Sequence, residues 1–113
     1  MISTLDHLII AVKDLDQAEK NYKKILGTNP VWTGKHKSLG TANSIFNFKN
    51  TYLELLTADG DGLGADFVKN LIKENGDGLA GIVFGVDDMP QTVQQLKQEG
   101  YEISDPTEGE GYD

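Results

Sequence analysis

Apolar residues in this chain recur with two different spacings, and the switches between them mark out its elements. The segment Leu5-Asp6-His7-Leu8-Ile9-Ile10-Ala11-Val12 is nearly continuous apolar sequence rich in branched side chains. That composition predicts a strand buried on both faces. Alternation places Leu5, His7, Ile9 and Ala11 on one face and Leu8, Ile10 and Val12 on the other. The period then becomes helical, with Leu15, Ala18, Tyr22, Ile25 and Leu26 on one stripe. Asp14 stands at the N-cap with Gln17 as its capping-box partner, and Gly27 supplies a left-handed stop. Glu19 and Lys23 pair across one turn of the exposed side.

A short strand at 30–33 and a loop at 34–40 come next. Thr41 to Phe48 alternates, with Asn43, Ile45 and Asn47 facing one way and Ser44, Phe46 and Phe48 the other. Lys49-Asn50 is a turn, and 51–56 is a strand with Tyr52, Glu54 and Leu56 opposite Leu53 and Leu55. After a glycine-rich loop, a second helix over 65–75 is expected to bury Phe67, Val68, Leu71 and Ile72 and to stop at Gly76. The loop is a plain one. Asp59-Gly60-Asp61-Gly62 lacks the glutamate that closes a calcium loop, and Gly60, Gly62 and Gly64 lack the dinucleotide-binding spacing.

The opening pattern then repeats. Residues 81–89 lie over residues 7–15 at an offset of 74, and Asp88 with Gln91 restates the capping box of Asp14 with Gln17. Val93 and Leu96 supply the helical stripe, Gly100 the stop, and 101–103 a further short strand. A counterpart of Glu54 would fall past Asp113, so the expectation is a single domain of one and a half units. Its parts are a complete first module at 1–57, a linking helix at 58–76 and a partial second module at 77–113. The tail from Asp105 to Asp113 is acidic and glycine-rich and is expected to be loosely ordered.

Composition narrows the function classes. The 113 residues carry a net charge of −8, and all ten basic residues are lysines. Nucleic acid is a poor partner for such a surface, because phosphate neutralisation supplies most nonspecific affinity. The absence of cysteine excludes disulfides, thiolate zinc sites and a cysteine nucleophile. No apolar run is long enough for a membrane span, and the first residues lack the pattern of a signal peptide, so a cytoplasmic protein is expected. No serine sits in a nucleophile-elbow context.

The order βαβββ with a restart of βα resembles the vicinal oxygen chelate superfamily of glyoxalase I, bleomycin-resistance proteins and extradiol dioxygenases. The resemblance is sharpest to the glyoxalase-like domains. It is carried by Leu5-Asp6-His7 with Asp14-Leu15, by Gly34-Lys35-His36, by Leu39-Gly40-Thr41-Ala42-Asn43 and by Tyr52-Leu53-Glu54-Leu55. It implies an α+β fold in which each βαβββ module curls into a half-barrel. It further implies a divalent metal held by a His on the first strand and a Glu on the fourth, the places of His7 and Glu54. Imidazole and carboxylate suit Fe, Mn, Ni, Co or Zn. Where the superfamily commonly places another His, this chain has Gly81. A partner chain would then complete the site, or His36 would swing in as a third ligand, or no metal is held.

Each of these residues also has an ordinary structural role open to it. His7 could be a strand histidine satisfied by a neighbour, and Glu54 an outward carboxylate on a one-sided sheet. A buried Glu54 would need a cationic or hydrogen-bonding partner. His36 lies in a basic loop that is either solvated or, with Asn43, lines the mouth of a cavity and binds substrate. Trp32 and Phe46 are assigned to packing. The expected protein is a homodimer taking a small-molecule ligand, with Glu54 also catalytic in a metal-dependent lyase or isomerase. The alternatives are a non-catalytic binder of the bleomycin-resistance type and an incomplete assembly module.

Overall fold

The computed structural model describes residues 2–106. Eight elements follow one another: β1 (Ile2–Ala11), α1 (Leu15–Leu26), β2 (Trp32–His36), β3 (Thr41–Asn47), β4 (Tyr52–Ala58), α2 (Leu63–Asn75), β5 (Gly78–Val86) and α3 (Met89–Gln98). The strands form one sheet in the order β2-β3-β4-β1-β5. This is the expected α+β architecture: βαβββ, a helix, then a second βα. Compact packing divides the chain into two units, one of residues 6–83 and one joining the start of β1 to the residues from Phe84 onward. The acidic tail from residue 107 lies outside the described residues.

Helix α1 forms where its ends are specified. Asp14 is extended, and its Oδ1 accepts from the Gln17 backbone N–H at 3.0 Å. The Gln17 side chain donates to Asn21 Oδ1 instead of reaching back, so only half of the expected capping box is made. Gly27 closes the helix at φ 69°, a region open to glycine without strain. The helix lays Leu15, Ala18, Tyr22 and Leu26 on Leu8, Ile10, Val12, Phe46, Leu53 and Leu55, and this is the core of the unit. Phe46 and Leu55 are wholly buried there. Ser44 lies on the same side and donates to Glu19 Oε2 at 2.6 Å, which satisfies a hydroxyl with no exposure.

Register fixes what the opposite face carries. β1 runs parallel to β4 with His7 beside Tyr52 and Ile9 beside Glu54, and β3 is antiparallel to β4 with Ile45 beside Glu54. Alternation then puts His7, Ile9, Ala11, Tyr52, Glu54 and Asn43 on the face turned away from α1. β5 runs against β1 in the opposite sense: Lys13 N donates to Asp77 Oδ1, and Ser3 Oγ donates to the Gly85 carbonyl.

Two glycines tie α2 to the sheet. Gly40 at φ 70° and Gly62 at φ 150° lie where the 59–62 loop crosses the start of β3. A Cβ on Gly40 would overlap the Asp61 carbonyl, and one on Gly62 the Leu39 carbonyl. Asp59 N donates to the Gly40 carbonyl at 2.7 Å and Ala65 N to the Leu39 carbonyl at 2.9 Å. From there α2 packs on β4, with Ala65 and Val68 fully buried.

Four expectations are corrected. β1 is not buried on both faces: residues 2–6 are exposed, because pairing with β4 begins only at His7. His36 is the last residue of β2, not part of a loop, because residues 32–36 pair in full with 41–45. Phe67 is half exposed, since α2 turns Ala65 and Val68 inward instead. Residues 101–103 form no strand, having no neighbouring strand to complete a ladder among the described residues.

Candidate functional site

On the face away from α1, the parallel pairing of β1 and β4 brings two ionisable side chains together. His7 Nε2 lies 3.4 Å from Glu54 Oε1, and both side chains are nearly buried, at 12% and 14% exposure. Each group is held in place by others. Asp6 Oδ2 sits 2.7 Å from His7 Nδ1. An ionised carboxylate only accepts, so Nδ1 carries the proton; with a single ring proton, Nε2 presents its lone pair toward Glu54. Tyr52, in register with His7, stacks on the imidazole with ring centres 4.3 Å apart and planes within 9°. Asn43 Nδ2 donates to Glu54 Oε2 at 2.8 Å and so fixes the plane of the carboxylate.

In that tautomer the imidazole nitrogen and the carboxylate oxygen are two acceptors without a donor between them. At 3.4 Å the contact is long for a hydrogen bond. It matches the separation of two ligands on a shared cation, each about 2.1 Å from it. The Asp6 contact to the far ring nitrogen is the outer support that metal-bound histidines commonly have. The donor chemistry therefore fits one half of a metal site. Asn43 Oδ1, buried and without a hydrogen-bond partner, is a further unsatisfied oxygen beside the pair.

The other half is not supplied by the described residues. No group of three His, Cys, Asp or Glu side chains placed to hold a metal ion is found among them. His36 shares a row with Thr41 and Ala58, two strands across from the row of Glu54 and four residues along. That is about 13 Å along the strands and about 10 Å across them. The structure does not bring it to the pair. Gly81 lies on the site face, where an added Cβ would meet only Ile9 Cδ1 at 3.8 Å. Trp32 is partly exposed and lies over Gly34, whereas Phe46 is core.

Sequence reasoning passed over Asp6 and Tyr52. Neighbours on a strand point to opposite faces, so Asp6 beside His7 gives no signal. Alternation places Tyr52 on the face of Glu54, but its stacking depends on a parallel register that no local pattern encodes.

Comparison with known proteins agrees with this fold. The sequence profile described as Glyoxalase-like domain matches residues 5–111. A mitochondrial methylmalonyl-CoA epimerase of Dictyostelium discoideum is 32% identical over 110 residues, covering 94% of this chain and 63% of its own length. This chain thus spans less than two thirds of that relative. An ethylmalonyl-CoA/methylmalonyl-CoA epimerase of Cereibacter sphaeroides is 29% identical over 103 residues, 91% of this chain and 75% of its own. Among solved structures, a Streptomyces coelicolor methylmalonyl-CoA epimerase in complex with 2-nitronate-propionyl-CoA superposes with a TM-score of 0.76 at 24% identity. It covers 90% of this chain and 73% of its own, and it shows that the fold is shared.

Proposed function

The chain belongs to the glyoxalase-like domain family of the vicinal oxygen chelate superfamily, and from that premise we propose that it is a metal-dependent isomerase moving a proton at the carbon next to a carbonyl. The observation that carries this is the approach of His7 Nε2 to Glu54 Oε1 with Asp6 behind the ring. In this reading His7 and Glu54 hold a divalent metal. When bound, the metal polarises the substrate carbonyl and stabilises the negative charge of an enolate. Asp6 and Tyr52 hold the imidazole plane, and Asn43 holds Glu54 Oε2 while donating to bound substrate. The Glu54 carboxylate takes the substrate proton. A second copy of the chain supplies the remaining ligands and the group that delivers a proton to the opposite side of the enolate. Residues 1–57 act as the complete module, with 77–113 as the beginning of another. The named relatives indicate a 2-carboxyacyl thioester of coenzyme A as the substrate.

Proton exchange tests this directly. Methylmalonyl-CoA incubated in D₂O with the protein and supplied Co²⁺ should lose its C2 proton signal, and the protein should retain the metal after gel filtration. His7→Ala and Glu54→Gln should each slow exchange at least about a hundredfold. A wild-type protein that holds no stoichiometric metal and exchanges no proton refutes the proposal. Gly81 favours a second reading, a small-molecule binder without catalysis. Saturable thioester binding with no exchange would select it.

A further inference from the structure

Three hollows in residues 6–83 differ in their charge. One of about 250 Å³ between β1 and α1 has Asp14 and Asp77 on its wall and no lysine. A second of about 640 Å³, by the start of α1, mixes Lys13 and Lys35 with Asp14, Asp16 and Asp59. The third, about 390 Å³ between the end of β4 and α2, has Lys13, Lys69 and Lys73 around Ala58, Val68 and Ile72, and no acidic residue on its wall. This chain has eighteen carboxylate side chains to ten lysines, so a wall with three lysines and no acid runs against its own composition.

Among the described residues none of these three lysines makes an ion pair. Lys69 and Lys73 are one turn apart on α2, an arrangement in which like charges repel. Lys69 Nζ donates to the Gly60 carbonyl at 3.3 Å. The Lys13 backbone N–H donates to Asp77 Oδ1, and Lys13 also borders the neighbouring hollow with Asp14, Asp16 and Asp59. Lys35, in the neighbouring hollow, is by contrast paired with Asp59 at 3.1 Å. The volume is that of a small-molecule site, with an apolar floor and a cationic rim. Lysines are point-charge binders of phosphate, and this chain has no arginine for the task.

We infer that this hollow binds a phosphate ester, and, resting on the isomerase reading above, that it anchors the phosphate end of the coenzyme A thioester. Ala58 lies on the strand and face of Glu54, four residues further along, about 13 Å away. The pantetheine arm bridges such a span, so the acyl group reaches His7 and Glu54 while the phosphates rest among the lysines.

Calorimetric titration of the full chain with free coenzyme A tests the inference. Free coenzyme A has no acyl group to isomerise and needs no metal, so the outcome is independent of the proton-exchange assay. Wild type should bind, and inorganic pyrophosphate should compete. Lys69→Glu with Lys73→Glu should weaken binding at least tenfold, and Lys69→Gln with Lys73→Gln should weaken it less. Lys20→Glu with Lys24→Glu, exposed on α1 and equal in charge change, should leave it unaltered. Equal loss in the two Glu pairs, binding that pyrophosphate does not displace, or no binding of coenzyme A by the wild type would overturn the assignment.

Discussion

The chain opens the same local construction twice, and the two copies end differently. In β1-α1, Asp14 caps the helix at φ −120° and ψ 99° with Gln17 N bonded to its carboxylate. In β5-α3, Asp88 does the same at φ −139° and ψ 101° with Gln91 N. The caps are near copies. The burial is not: α1 lies on a core containing Phe46, Leu53 and Leu55, whereas Thr92 is the one buried residue of α3 among those described. His7 on β1 has Glu54 within 3.4 Å, and Gly81, its counterpart on β5, has no side chain. Local sequence is enough to start and stop a helix. A core and a functional pair depend on the strands that follow.

Four measurements would break or sharpen this contrast. The largest effect is expected for Phe46→Ala, which should cost about 3–5 kcal/mol in urea unfolding. Leu96→Ala, at a half-buried position of α3, should cost well under half of that; equal losses would abolish the distinction between the copies. Gly81→His puts an imidazole where only Ile9 Cδ1 stands near. It should keep the fold and raise metal affinity at least roughly tenfold by adding a donor to the face of His7 and Glu54, as read by competition with a chelator. Asp14→Ala should lower global stability by about 1 kcal/mol. Asp88→Ala should remove a similar bond but register as faster amide exchange confined to α3. The smallest effect concerns Asp105, whose carboxyl Lys97 holds below the ordinary value through a 2.7 Å hydrogen bond and its charge. A carboxyl lowered in the folded state adds stability above its unfolded value, lost as pH falls through the folded one. The group is fully exposed, so Asp105→Asn should leave the melting temperature unchanged while NMR shows wild-type Asp105 titrating low.

How much could be read from the sequence follows the same division. The Asp14 and Asp88 caps, the Gly27 and Gly76 stops and the alternation of Leu53 and Leu55 with Glu54 are set within a few residues, and all are found in the structure. The family motifs around Asn43 and Glu54 supplied the rest of the fold, which hydrophobic period alone would have left open. The error about His36 came from treating Gly34-Lys35-His36 as a loop, when the extension of β2 depends on pairing with Thr41 to Ile45. Phe67 was misplaced because Phe67 and Val68 are both apolar and adjacent, and only tertiary packing selects between them. Asp6, Tyr52 and the lysines at 13, 69 and 73 gave no signal because each acts through a residue distant in the chain or on another face.

The crossing of Gly40 and Gly62 has a consequence for how this chain tolerates change. The obstacle to a side chain at either position is main chain, which cannot turn aside as a rotamer can. An alanine at 40 would therefore push the 59–62 loop off the start of β3, releasing the bonds from Asp59 and Ala65 together. The helix that follows would lose its mooring, and its lysines would drift from Lys13. A single methyl group, far from His7 and Glu54, would thus scatter the positive rim without touching any residue on it.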